Sequence, residues 1–172
     1  MKTLIAVIGA SRADEKAGRA AFEAGREVIR AGFCLVCGGL GGVMEEACRG
    51  AREAAGPDSG KIIGILPGTG KNDANPYADI VIPTGLGYAR NAIITCAADG
   101  IIAVGGGSGT LSEIGFGWQY GKPIAVITGI PGLSAELAGK QLDRRRQDRI
   151  MGASSGAEAV ALIREALGRK RA

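Results

Sequence analysis

Short apolar runs of strand length alternate with helix-period segments along this chain, and most strand-like runs have a glycine within two residues of their end. That alternation is the signature of βαβ units, in which crossover helices join parallel strands. Such crossovers are right-handed, so the strand-to-helix turns gather along one edge of the sheet. Open α/β sheets bind their ligands at that edge.

The first strand is read at residues 4–8 and breaks at Gly9, Ala10 and Ser11. A helix follows over 14–30, stopped by Gly32 in the position beyond a helix end that glycine favours. Residues 33–37 are the second strand, Gly38-Gly39-Leu40-Gly41-Gly42 the second turn, and 43–55 the second helix, closed by Gly56-Pro57. Strands at 61–66 and 80–83 flank a Gly-, Asn- and Pro-rich surface loop at 67–77, a candidate ligand-facing segment. Thr84-Gly85-Leu86-Gly87 leads into a helix over 88–98, then a strand at 100–104 and the run Gly105-Gly106-Gly107-Ser108-Gly109. A helix over 110–120 and a buried strand at 123–128 follow, and 131–147 is read as a lid helix. A short strand near Ile150 precedes Ser155 and Glu158, a capping box that opens a last helix to about Leu167. The expected fold class is thus α/β, a Rossmann-like three-layer sandwich with a mainly parallel central sheet. One domain over 1–172 is expected, with 168–172 a frayed basic tail.

Composition narrows the partners. The chain's 172 residues, 46% of them hydrophobic, suffice for one sizeable core. Thirty glycines are more than twice the average share, yet they cluster at the ends of apolar runs, which means tight turns and not disorder. A net charge of +4 suits an anionic ligand but falls short of a nucleic-acid footprint, and 4% aromatics leave little to stack on bases. Neither nucleic acid nor membrane is expected as a partner. Lys2 runs straight into a β-like segment without a signal-peptide pattern, and no apolar stretch has spanning length, so a cytoplasmic location is expected. The four cysteines lie in or beside apolar runs and are expected as small buried hydrophobes. Cys34 and Cys37 would point to opposite faces of a strand and the chain has no histidine, so no metal site of its own is expected.

The glycine turns carry the chemistry. Glycine lets the backbone approach a phosphate closely, and the free N–H groups of the following helix add donors and partial positive charge. Candidate phosphate-binding residues are Gly9 and Ser11, Gly38, Gly39, Gly41 and Gly42, Thr84 and Gly85, then Gly106, Gly107, Ser108, Gly109 and Thr110. Each turn also reads as an ordinary sharp bend. Neither the 38–42 nor the 105–109 run fits the dinucleotide fingerprint, and no acidic residue ends the second strand to hold a ribose, which disfavours an NAD site.

The segment Gly106-Gly107-Ser108-Gly109-Thr110-Leu111-Ser112-Glu113 resembles the GGxGTxxE signature of the Lonely Guy phosphoribohydrolases, a superfamily long labelled lysine decarboxylase-like. Gly38-Gly39 to Met44 is similar to that superfamily's other glycine motif. Thr84-Gly85-Leu86-Gly87 followed by Ala89-Arg90, with an Asn nearby, resembles more closely the molybdenum cofactor carrier proteins within it. The likeness covers about residues 3–130. It implies a homodimer or homotetramer that carries or stores the molybdenum cofactor, a phosphate-bearing pterin whose own dithiolene holds the metal. The hydrolase branch implies instead cleavage of the N-glycosidic bond of a nucleoside monophosphate, with Arg90 and Glu113 as catalytic residues, and regulatory nucleotide binding would use the same site. Gly105 stands where the hydrolases have proline, and Ala89-Arg90-Asn91 replaces their Glu-Arg-Lys run, so the carrier branch leads.

Both residues keep a second reading. A carboxylate at Glu113 could stabilise oxocarbenium charge or activate water, but Thr110 and Glu113 also have capping-box spacing. Arg90 falls near a helix start, where a cation opposes the dipole, which favours a bidentate contact to phosphate. Ser112 is a further hydroxyl donor, Glu45 and Glu46 relieve a helix dipole, and Arg144 to Arg146 read as a solvated face or an anion-catching lid.

Overall fold

Period-two burial along the strands organises the molecule. In β1 (Leu4–Gly9), Ile5 and Val7 pack into one apolar cluster, while Ala6 and Ile8 pack into another. In β2 (Cys34–Cys37), Leu35 and Cys37 join the first cluster and Val36 the second. A strand that is apolar on both faces must be covered on both, which is why helices flank the sheet. The computed structural model describes residues 1–169, and the remaining strands are β3 (Ile62–Leu66), β4 (Ile80–Pro83), β5 (Gly100–Val104), β6 (Ile124–Ile127) and β7 (Met151–Ala153). They pair in the order β4-β3-β2-β1-β5-β6-β7, and every pairing is parallel.

Helices α1 (Glu15–Arg30), α2 (Val43–Ala55) and α5 (Gly156–Arg169) cover one face, through Ala21, Ala24, Ala47, Ala51 and Ile163. Helices α3 (Asn91–Ala97) and α4 (Ser108–Gln119) cover the other, through Ile94, Ile114 and Trp118. Asp14 caps α1, accepting the Ala17 N–H at 2.8 Å. At α5, Ser155 Oγ accepts the Glu158 N–H at 3.1 Å, while Glu158 reaches back to the Ser154 N–H, one residue earlier than a capping box requires. Among the described residues no helix is long and apolar enough to cross a membrane.

Several local expectations are corrected. The helix expected over 88–98 is a 3-10 turn at Gly87–Arg90 followed by α3. The lid helix expected at 131–147 is absent: the segment contains one 3-10 turn, Ala135–Leu137, because Pro131 lacks an N–H and Gly132 and Gly139 adopt positive φ. It is fastened to the sheet edge instead, with the Leu133 N–H on the Gly106 carbonyl at 2.9 Å. Arg146 is no solvated residue, for its guanidinium lies 4.4 Å over the Trp118 ring and donates to the Trp118 and Lys122 carbonyls. Cys96 is exposed, contrary to the expectation of four buried thiols. Gly168 and Arg169 continue α5 in place of the frayed tail, whose last residues, 170–172, lie outside the described residues.

Candidate functional site

The chain leaves β1 toward β2, β3 and β4, then returns to β5 on the opposite side of β1. The carboxyl ends of β1 and β5 therefore diverge into two sets of turns, the switch point where open α/β sheets hold ligands. A cavity of about 580 Å³ opens there. Its walls are Ser11 after β1, Leu40 and Met44 after β2, Tyr88, Arg90 and Asn91 at the 3-10 turn, and Gly107 to Thr110 with Ser112 at the start of α4.

The start of α4 is built to meet negative charge. Gly107 is its N-cap and no side chain caps it, which leaves the N–H groups of Ser108, Gly109 and Thr110 without helical partners. Gly106 has φ +88, and a Cβ there would lie 2.1 Å from Thr110 Oγ1, so the turn requires glycine. Because α4 begins at Ser108, Thr110 is not an N-cap and the capping-box reading of Thr110 and Glu113 fails. Glu113 lies one turn further in, 6% exposed, against Arg90.

Arg90 is 8% exposed. Its Nη1 donates to Asn91 Oδ1 at 3.0 Å and stands 3.5 Å from Glu113 Oε1, while its buried Nε has no partner among the described residues. The guanidinium rests on Gly38, where a Cβ would come within 2.4 Å of Nη2. Asn91 in turn donates to Ser112 Oγ at 2.9 Å and to the Gly109 carbonyl at 3.3 Å, tying Arg90 to the first turn of α4. Burial pushes Glu113 up to about 7, with Arg90 opposing the rise. Burial also draws Arg90 below its ordinary value, with Glu113 opposing.

Ser11, Arg90, Gly107, Ser108, Gly109 and Thr110 thus share one cavity, and Gly38, Gly106 and Glu113 stand immediately behind its wall. The other candidates lie elsewhere. Gly9 packs against the Val104 carbonyl and Val43, and the Gly39 carbonyl accepts the Asn75 N–H at 2.9 Å. Gly41 lies near Glu45 Oε2, and Gly42 lines a second cavity, of about 550 Å³, between the starts of α1 and α2. Asp14, Glu15, Glu45 and Glu46 in that wall outnumber Arg12, Arg19 and Arg49, a poor setting for an anion. Thr84 donates to the Leu66 carbonyl at 2.8 Å and Gly85 to that of Gly68 at 2.9 Å, so that turn holds itself together. None of residues 67–77 lines the site cavity; their buried Asn75 instead pins the loop to the second glycine turn, donating to the Leu40 carbonyl. Cys37, behind Gly38, has its sulfur 3.4 Å from that of Cys48. Leu40, Met44 and Tyr88 complete the wall without having been singled out by sequence; Tyr88, 90% exposed directly after Gly87, was the most readable of the three.

The SLOG cluster4 family model matches residues 2–160. An uncharacterised protein of Archaeoglobus fulgidus is 44% identical over 123 residues, 72% of this chain and 78% of that one. The structure of a molybdenum cofactor binding protein from the phototrophic bacterium Rippkaea orientalis superposes with a TM-score of 0.83 at 33% identity, covering 97% of this chain and 98% of that one. The molybdenum cofactor carrier protein of Chlamydomonas reinhardtii gives 0.83 at 32% identity, covering 98% and 99%.

Proposed function

Because the chain belongs to the SLOG cluster4 family, we propose that it binds the phosphate end of a small ligand and that its cargo is the molybdenum cofactor. The observation that carries the reading is the uncapped start of α4 facing Arg90 across one cavity, with the Arg90 Nε buried and unpartnered among the described residues. A phosphate dianion would take N–H bonds from the 108–110 turn and a charge-assisted bond from the guanidinium. The remaining volume suits a ring system, with Leu40, Met44 and Tyr88 as its apolar wall. The cargo's own dithiolene would hold molybdenum; among the described residues no group of three or more His, Cys, Asp or Glu side chains is arranged to do so.

A molybdenum cofactor binding protein and a molybdenum cofactor carrier protein from two organisms, each at about one-third identity over nearly the whole chain, support this cargo. We place the protein in the cytoplasm as a homodimer or homotetramer built on the outer face of α3 and α4. Hydrolysis of a nucleoside monophosphate is the second reading, favoured by the Arg90–Glu113 pair. It is weakened by the position of Glu113 behind Arg90 and outside the cavity wall.

One experiment separates the two. The protein is incubated with AMP and related monophosphates while free base is followed by chromatography, and in parallel it is loaded with molybdenum cofactor. The carrier reading expects no base and stoichiometric pterin and molybdenum. Base release abolished by Glu113→Ala would overturn it in favour of the hydrolase.

A further inference from the structure

We propose that Glu113 is the proton carrier of this pocket: ionised against Arg90 above neutral pH while the pocket is empty, it takes up a proton as an oxyanion engages the guanidinium. The inference rests on the anion-binding reading of the cavity and deepens it by coupling occupancy to pH.

The geometry sets up a competition. Glu113 and Arg90 are both nearly sealed from water, yet their closest approach is 3.5 Å, and the hydrogen bond from Arg90 Nη1 goes to the neutral Asn91 Oδ1. The titratable groups facing Glu113 are Arg90, from the 3-10 turn, and the Cys37 thiol, at the end of β2. Of the other elements packed around α4, β1, β5 and β6 contain no ionisable side chain, that of α3, Cys96, is exposed, and Asp143 and Arg146 of the segment before β7 engage Trp118, more than a turn beyond Glu113. One cation and one carboxylate sum to zero, so a dianion arriving at Arg90 meets a like charge that only the partial positive charge at the start of α4 offsets. With Arg90 and Glu113 themselves nearly sealed from water, protonating that carboxylate from bulk solvent relieves the repulsion. Glu113 acts through Arg90, since it lies outside the cavity wall. It is a positioning residue, and its signature is a pH profile.

Inorganic sulfate is the probe, because it stays dianionic across the neutral range. Calorimetric titration at fixed ionic strength should show sulfate affinity falling about tenfold between about pH 6.5 and about pH 8.5. At about pH 7.5, buffers of different ionisation enthalpy should report uptake of more than about half a proton per sulfate. Glu113→Gln should abolish both the pH slope and the uptake while still binding sulfate. Sulfate bound by the wild type without proton uptake, or a slope that persists in Glu113→Gln, overturns the inference and leaves the anion pocket standing. No sulfate binding at any pH overturns the pocket and the inference together.

Discussion

Arg90 and Glu113 carry opposite charges in a place where neither has much water, and the balance between burial and attraction decides their behaviour. For Glu113 burial wins, raising it from its ordinary value of 4.5 to about 7. A folded state that holds a proton more tightly than the unfolded chain gains stability at low pH from that group. The gain is complete below about pH 4.5, is lost as pH climbs through about 7, and changes no further above that. The size is on the order of 3 kcal/mol. Urea unfolding of wild type and Glu113→Gln across this range should give a stability difference that falls by that order and then levels; a constant difference would show Glu113 unperturbed. That Gly107, Ser108, Gly109 and Arg90 line the cavity was legible because their residue types carry chemistry in any α/β turn, while Gly9, Gly39, Gly41, Gly42 and Gly85 serve bends elsewhere. Leu40 and Met44 were not, since an apolar cavity wall reads like any core position. The second reading of Glu113, as a capping-box partner of Thr110, fails because the turn from Gly105 to Gly107 starts α4 two residues before its hydrophobic pattern does.

The strands and crossover helices were written in the hydrophobic period, and their limits mostly differ from those read from sequence by a residue or two. Elements held by distant contacts were not. Residues 131–150 lack a period of their own and follow Leu137 and Leu142 onto the α3–α4 side of the sheet, with Arg146 stacked on Trp118. The contact between α1 and α2 was equally silent, yet it is the most extensive helix contact in the described fold. A Cβ on Gly25 would lie 1.9 Å from the Ala47 carbonyl oxygen, and one on Gly50 1.9 Å from that of Phe22. Both obstacles are backbone and cannot swing aside. In an exposed helix Gly→Ala would stabilise by about 1 kcal/mol. Here overpacking dominates, so Gly25→Ala should destabilise by about 3 kcal/mol and lower Tm by roughly 5 to 10 °C. A raised Tm would contradict this packing of α1 on α2, which fixes the second glycine turn beside the cavity.

As a whole, the molecule is polarised: ionisable side chains are dense on the α1–α2 side and sparse over α3 and α4. Those two helices contain one charged side chain, the buried Glu113, while Tyr88, Ile93, Leu111 and Tyr120 stand exposed along them. An apolar face of this kind is the mark of an association surface. Light scattering should therefore find a dimer or tetramer that Leu111→Asp shifts toward monomer, and a monomeric wild type at micromolar concentration would remove the oligomer from the account. The cavity borders this face through Tyr88 and Ser112, so a partner docked there would stand beside it. Whether Arg90 and the start of α4 grip the phosphate of a carried cofactor is decided by loading wild type and Arg90→Ala with molybdenum cofactor. Molybdenum per chain is then measured after gel filtration, with thermal melts confirming that both fold. Loss of the charged contact is worth roughly 1.5 to 3 kcal/mol, so the wild type should retain about one molybdenum per chain and the variant less than about a tenth of that. Equal retention by Arg90→Ala would contradict the account.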